Sequence, residues 1–185
     1  MTGQHPPNKR RTQMVFAWLA WNGIRKKLDR YGWTIVAVDE GESGPPFAYT
    51  IGLSAKFGSP ELCVAGLSSR AANELLGKLV EDVGAGRLSL DGDHIPAGLH
   101  EAQDCVWRRV HPSQFVGDNF GALLRWRDEN GAASPPEAYQ WVWPDDEGRL
   151  PFNAECRLEV RMMQPPLWAP YDPEWWAPLA KEAGV

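Results

Sequence analysis

Glycine and proline punctuation limits what this 185-residue chain can fold into. Breaks fall at Asp39 to Pro46, at Gly58-Ser59-Pro60, through the loop from Leu88 to Leu99, at Pro112 and at the turn Pro144 to Arg149. Glycine supplies unusual φ values and proline withholds a ladder N–H, so regular structure stops at these points. Between the breaks lie short apolar runs of strand composition. Trp33 to Val38, Phe47 to Leu53, Leu62 to Leu67, Asp104 to His111, Tyr139 to Trp143 and Cys156 to Met162 read as strands. In the second of these, Phe47, Tyr49, Ile51 and Leu53 alternate onto one face, leaving Ala48, Thr50 and Gly52 as a small-residue face that a backbone or ligand can approach.

Two stretches have helical periodicity instead. Met14, Trp18, Trp21, Ile24 and Leu28 form the stripe of an amphipathic helix over about 13–31 that stops at Gly32; packing on the domain is the expectation, with a membrane-surface helix as the alternative. Ser68 or Ser69 caps a second helix, 69–84, whose apolar side is Ala72, Leu75, Leu76, Leu79, Val80 and Val83. Phe120, Leu123, Leu124 and Arg127 suit a helix and a strand equally well. The length suits one core, which divides the chain into a basic tail (1–12) expected to be disordered, one domain (13–163) and a Pro/Trp-rich C-terminal extension (164–185).

Charge and cysteine usage close off several function classes. Residues 1–30 hold seven basic side chains and one acid, a net +6, which leaves −11 on the other 155 residues. Phosphates need a basic face, so the main domain is not expected to bind nucleic acid. Cys63, Cys105 and Cys156 are far apart and form no CxxC pair, which fits three buried thiols in a cytoplasmic protein. The apolar run Met14 to Trp21 is too short to span a bilayer and has no cleavage site behind it. Ten tryptophans imply an aromatic core or a ring-lined pocket or interface.

Signatures of nucleotide hydrolysis, dehydrogenase and α/β-hydrolase chemistry (GxxxxGK[ST], GxGxxG, GxSxG) are missing, as is HExxH. His94, His100 and His111 could join Asp91, Asp93, Glu101 or Asp104 around a metal, which would make the chain a metal-dependent hydrolase, yet the spacing follows no rigid template. Cys105 and His111 lie about 20 Å apart along one strand, too far for a thiolate dyad. Arg108 and Arg109 must face opposite sides of their strand, so one points inward and needs a carboxylate or an anionic ligand. Asp145, Asp146 and Glu147, at the end of the Trp141–Trp143 strand, are natural partners.

Several blocks carry a resemblance. Tyr31-Gly32-Trp33, Pro46 through Leu53, Pro60-Glu61-Leu62 with Gly66-Leu67, Arg109-Val110-His111-Pro112-Ser113-Gln114-Phe115, and Gln140 through Phe152 occur in this order. The combination, over roughly residues 25–153, resembles a family of uncharacterised bacterial proteins known as domain of unknown function 4262. The resemblance implies no activity and no catalytic residues.

The expected fold is α+β: a mainly antiparallel five- or six-stranded sheet with two main helices, in an order similar to the flavin-reductase-like split barrel. The leading functional expectation is a small-molecule or cofactor-binding domain, with the reaction and cofactor unspecified. Its pocket would lie between the Tyr49–Thr50 strand and the Trp141–Asp146 strand end. Tyr49, Thr50, Arg109, His111, Trp141, Trp143 and Asp145 would line it. The alternative is a protein-interaction module of immunity or adaptor type, using the acidic body and Trp168, Trp175 and Trp176 as anchors.

Overall fold

A computed structural model describes residues 9–38, 44–92, 94–96 and 105–184, with 9–17 and 94–96 described by their backbone alone. The expected tail over 1–12 lies mostly outside the described residues, as does most of the Asp39–Pro46 turn. Helix α1 (Lys9–Tyr31) leads into strand β1 (Thr34–Val38) and its partner β2 (Phe47–Ile51). A single helical turn, α2 (Leu53–Phe57), separates β2 from β3 (Glu61–Ala65), and α3 (Ser69–Gly84) follows. Then come β4 (His94–Pro96), β5 (Val106–Arg109), α4 (Gly117–Glu129), β6 (Ala138–Val142), α5 (Leu158–Met163) and α6 (Ala177–Ala183).

Five strands run in the order β1–β2–β3–β6–β5, with the three-residue β4 outside β5. All neighbours pair antiparallel except β3 and β6, which run parallel with Cys63 opposite Gln140. The sheet is therefore mixed. Its order is linear, with β1 and β4 at opposite ends, so among the described residues it does not close and the split-barrel likeness fails.

Each face has its own core. On one, Ala48, Leu62, Val64, Trp107, Tyr139 and Trp141 meet the apolar side of α3, Ala72 through Val83. The Ser68 hydroxyl caps α3 by accepting from the Ala71 N–H at 3.3 Å. On the other face, Tyr49, Ile51, Cys63 and Ala138 meet Phe120 and Leu123 of α4, Leu28 of α1 and Leu167. The ambiguous segment after Phe115 is thus helical. Leu53 departs from the expected alternation and joins the α3 core, because Gly52 turns the chain at φ +104°. A Cβ there would sit 2.4 Å from the Gly32 carbonyl oxygen, so the small-residue face admits a backbone, as its composition allows.

The expected strand over Cys156–Met162 is helix α5 instead. A hairpin return onto β6 is closed to this segment, because β6 is already flanked by β3 and β5. Arg161 pairs α5 with α6 through Glu182 at 2.9 Å. The loop expected from Leu88 to Leu99 contains β4, too short to leave a sequence signal.

The β2–α2–β3 corner is organised by one buried carboxylate. Glu61 accepts from the N–H groups of Gly52 (3.0 Å), Leu53 (3.2 Å) and Ser54 (3.3 Å), and from the Thr50 hydroxyl at 2.7 Å. Thr50 in turn accepts from the Leu62 N–H at 2.9 Å, extending the β2–β3 ladder through a side chain. Burial pushes the Glu61 carboxyl up. The Thr50 hydroxyl and the three N–H groups pull it back without cancelling the rise. In Glu61→Gln the amide NH2 would oppose N–H donors, leaving buried groups unpaired. The expected loss of stability is about 3 kcal/mol, and about 1 kcal/mol for Thr50→Val. Urea unfolding measures both; a Glu61→Gln midpoint equal to the parent's would contradict this role.

Candidate functional site

The residues expected to line one pocket are spread over several environments. Tyr49 leaves the α4 face of β2, where Phe120 packs edge-on at 5.1 Å and the phenol oxygen accepts from the Ala122 N–H at 3.3 Å. Burial pushes its phenol up, and those backbone groups only partly offset it. Thr50 is committed to Glu61. Trp141 leaves the opposite, α3 face, with β3 between its strand and β2. Tyr49 and Trp141 therefore do not face a common hollow. The Trp143 indole N–H donates to the Ala65 carbonyl at 3.0 Å. His111 accepts from the Ser113 N–H through Nδ1, which also sits 2.8 Å from the Ser113 hydroxyl, so Nδ1 is the bare nitrogen and His111 caps the following 3-10 turn.

The arginine pair divides as strand alternation demands, with different partners from those expected. Arg109 pairs with Glu137 at 2.7 Å on the surface rather than with the acids after Trp143. Arg108 lies beside the edge-to-face pair of Phe152 and Trp168, its guanidinium carbon 5.5 Å from the Phe152 centroid and 5.4 Å from that of Trp168. Its Nε is buried and has no hydrogen-bond partner among the described residues.

Asp145 is an anchor for the chain beyond β6. One carboxylate oxygen accepts from the N–H groups of Glu147 (3.0 Å) and Arg149 (2.9 Å), the other from Arg157 (3.0 Å). Burial pushes its carboxyl up. The Arg149 and Arg157 N–H groups, the Arg149 charge and the Cys156 thiol outweigh this, and the net shift is downward. Asp146 pairs with Arg157, and Glu147 with Arg149.

Sequence reasoning missed the glutamines that hold a proline-rich strap, residues 164–171. Prolines 165, 166 and 170 have no N–H to offer a sheet, so side chains stand in for the missing ladder. Gln140 donates to the Pro165 carbonyl (3.0 Å) and accepts from the Leu167 N–H (3.1 Å). Gln164 brackets the Trp143 backbone in the same two-bond manner. Gln114 donates to the Ala169 carbonyl at 2.9 Å, and the Ser113 oxygen accepts from Tyr171 N–H at 2.8 Å. The signal was an amide in the middle of the apolar strand Tyr139–Trp143, ahead of a run of prolines.

The strap forms one wall of a surface groove of about 740 Å3, whose other wall includes Asp118 and Asn119 of α4. A hollow of about 90 Å3 beside Val38 and Phe47, and another of about 180 Å3 beside Trp168, adjoin it; Trp175 lines all three. Asp118 and Asp172 supply carboxylates to the main groove, and its lining includes no lysine or arginine.

The proposed metal ligands Asp93, His100, Glu101 and Asp104 lie outside the described residues, and His94 is described by backbone alone. No group of three histidine, cysteine, aspartate or glutamate side chains suited to a metal occurs among the described residues.

The sequence profile of the family described as Domain of unknown function (DUF4262) matches residues 27–157. The chain belongs to this family. No curated protein and no solved structure matches it. The DUF4262 region contains the Glu61 corner, both arginines and the Asp145 anchor, whereas the strap and Trp175 follow it.

The downward shift at Asp145 fixes the sign of a pH effect. Its carboxylate adds stability above the ordinary aspartate value of 3.8, and that contribution fades as pH falls through the lower folded value. Asp145→Asn is expected to lower Tm at neutral pH and to flatten the fall in Tm below about pH 4. Thermal melts across that range measure it, and parallel curves for both proteins would refute the assignment.

Proposed function

We propose that this chain is an interaction module that binds an extended, positively charged peptide segment along the groove beside the strap. The observation that carries the reading is the groove's composition: an aromatic floor at Trp175, two carboxylates and no basic side chain in its lining. The main groove and the hollow beside Val38 and Phe47 share Trp175 and have no lysine or arginine in their linings, which favours an elongated ligand over a compact one. The third hollow is lined by Arg161 and is left out of the site. A lysine or arginine of the partner would gain both the carboxylates and the indole face. The strap is held by side-chain hydrogen bonds before any ligand arrives, which lowers the ordering cost of binding. An acidic body steers a basic partner toward it.

A small anionic ligand at Arg108 is the second reading, supported by an Nε with no partner among the described residues, beside the Phe152–Trp168 ring pair. It moves the expected arginine-and-ring site from Arg109 to its neighbour. Native mass spectrometry of the purified protein would reveal such a ligand, and Arg108→Gln would release it.

An array of lysine- and arginine-containing peptides, followed by fluorescence titration of the strongest binder, tests the leading reading. Trp175→Ala is expected to weaken binding about tenfold or more, with its thermal melt within a few degrees of the parent's. Asp118→Asn is expected to reduce both affinity and its salt dependence. An array with no basic binder, or binding indifferent to Trp175, rejects the proposal.

A further inference from the structure

The described side chains of helix α1, those of residues 18–31, fall into a buried set and an exposed set. The helix's 23 residues extend about 34 Å. Trp21 and Leu28 are buried, Arg125 lies 4.5 Å above the Trp21 ring, and Arg25 approaches Glu129 at 4.0 Å. One turn earlier the picture reverses. Trp18 is 60% exposed and Leu19 52% exposed, although Trp18 belongs to the stripe expected to pack on the domain.

At 100° per residue, positions 18, 19, 22, 26, 29 and 30 fall on one stripe turned away from Trp21 and Leu28. That stripe reads Trp18, Leu19, Asn22, Lys26, Asp29 and Arg30. Trp18, Leu19, Lys26 and Arg30 are all exposed. Over its whole length α1 carries seven basic residues and one acid, Asp29.

We propose that this face of α1 docks on an anionic lipid surface, lying in the plane of the headgroups with Trp18 and Leu19 inserted. Two observations select this occupant. The net +6 of α1 opposes a second copy packed helix against helix, because most charged contacts there would be between basic side chains. The exposed Trp18–Leu19 pair gives an apolar contact that a nucleic acid backbone cannot use, whereas an interfacial helix needs basic and apolar side chains together. Among the described residues no helix is long and apolar enough to cross a membrane, and the proposed mode is surface binding. The −11 carried outside residues 1–30 opposes binding by the rest of the chain.

Co-sedimentation of the full chain with phosphatidylcholine vesicles, with or without phosphatidylglycerol, tests the proposal. Binding is expected only where phosphatidylglycerol is present, and it should fall steeply with salt. Trp18→Ser with Leu19→Ser, and separately Lys26→Glu with Arg30→Glu, should each lower the partition coefficient about tenfold or more. Because all four side chains are exposed, the melting temperature should stay near the parent's, so lost binding is distinct from lost folding. Equal sedimentation with neutral vesicles, none with anionic vesicles, or binding unchanged in both double variants would overturn the proposal. So would a parent dimer that Trp18→Ser with Leu19→Ser dissociates, or tighter binding to duplex DNA than to anionic vesicles.

Discussion

The Glu61 carboxylate is the interaction on which the sheet's geometry depends. It stands at the start of β3, yet its hydrogen bonds go to Thr50 of β2 and to the three N–H groups that open α2. One side chain thus fixes where β2 stops, how the chain turns and where β3 begins. The turn requires Gly52 at positive φ, and the absent Cβ lets the Gly32 backbone, just ahead of β1, close against the corner. Three strands and a helix end are registered at one point. Leu62 and Val64 then face α3, while Cys63 faces α4. A slip of one residue would exchange those sets between two cores of different shape.

A second device of the same kind acts beyond β6. Asp145 gathers three backbone N–H groups, and Gln140, Gln164 and Gln114 hold the strap with amides that both donate and accept. In both places buried polar side chains satisfy main-chain groups that ordinary ladders do not reach. A buried unpaired N–H or C=O costs more than a hydrogen bond gains, so these side chains act chiefly by removing a penalty. Much of what looked chemically suggestive in the sequence, including Thr50, Asp145 and His111, is occupied in this way.

Much of the fold was legible because short β-branched and aromatic runs between glycine and proline breaks have few alternatives to strand. The segment Cys156–Met162 had similar composition and became a helix: the strand before it, β6, is flanked on both sides, and local sequence carries no record of which strands still have an open side. The parallel pairing of β3 with β6 was also invisible, being set by the path of the chain between them. At the site, alternation required Arg108 and Arg109 to diverge but gave no direction. Glu137 for one and the Phe152–Trp168 rings for the other come from remote segments. Placing Tyr49 beside Trp141 failed for a related reason: facing sides follow from register across β3, and register is a property of pairs.

The separation of charge gives the surfaces a physical division of labour. Basic residues concentrate on α1, while the groove beside the strap has carboxylates and no cation in its lining. Had the same residues been interspersed, both surfaces would be close to neutral, and neither would select a partner beyond a Debye length of about 8 Å at physiological salt. Segregation keeps the self-repulsion of each patch, a modest cost at exposed sites. It also gives one molecule two surfaces of opposite field, the ones on which the two proposed binding modes rest. The aromatic anchors follow the same split, with Trp18 on the basic face and Trp175 in the acidic groove. In the two proposed binding modes the charged field would attract, and the tryptophan would supply the desolvated contact that attraction alone does not provide.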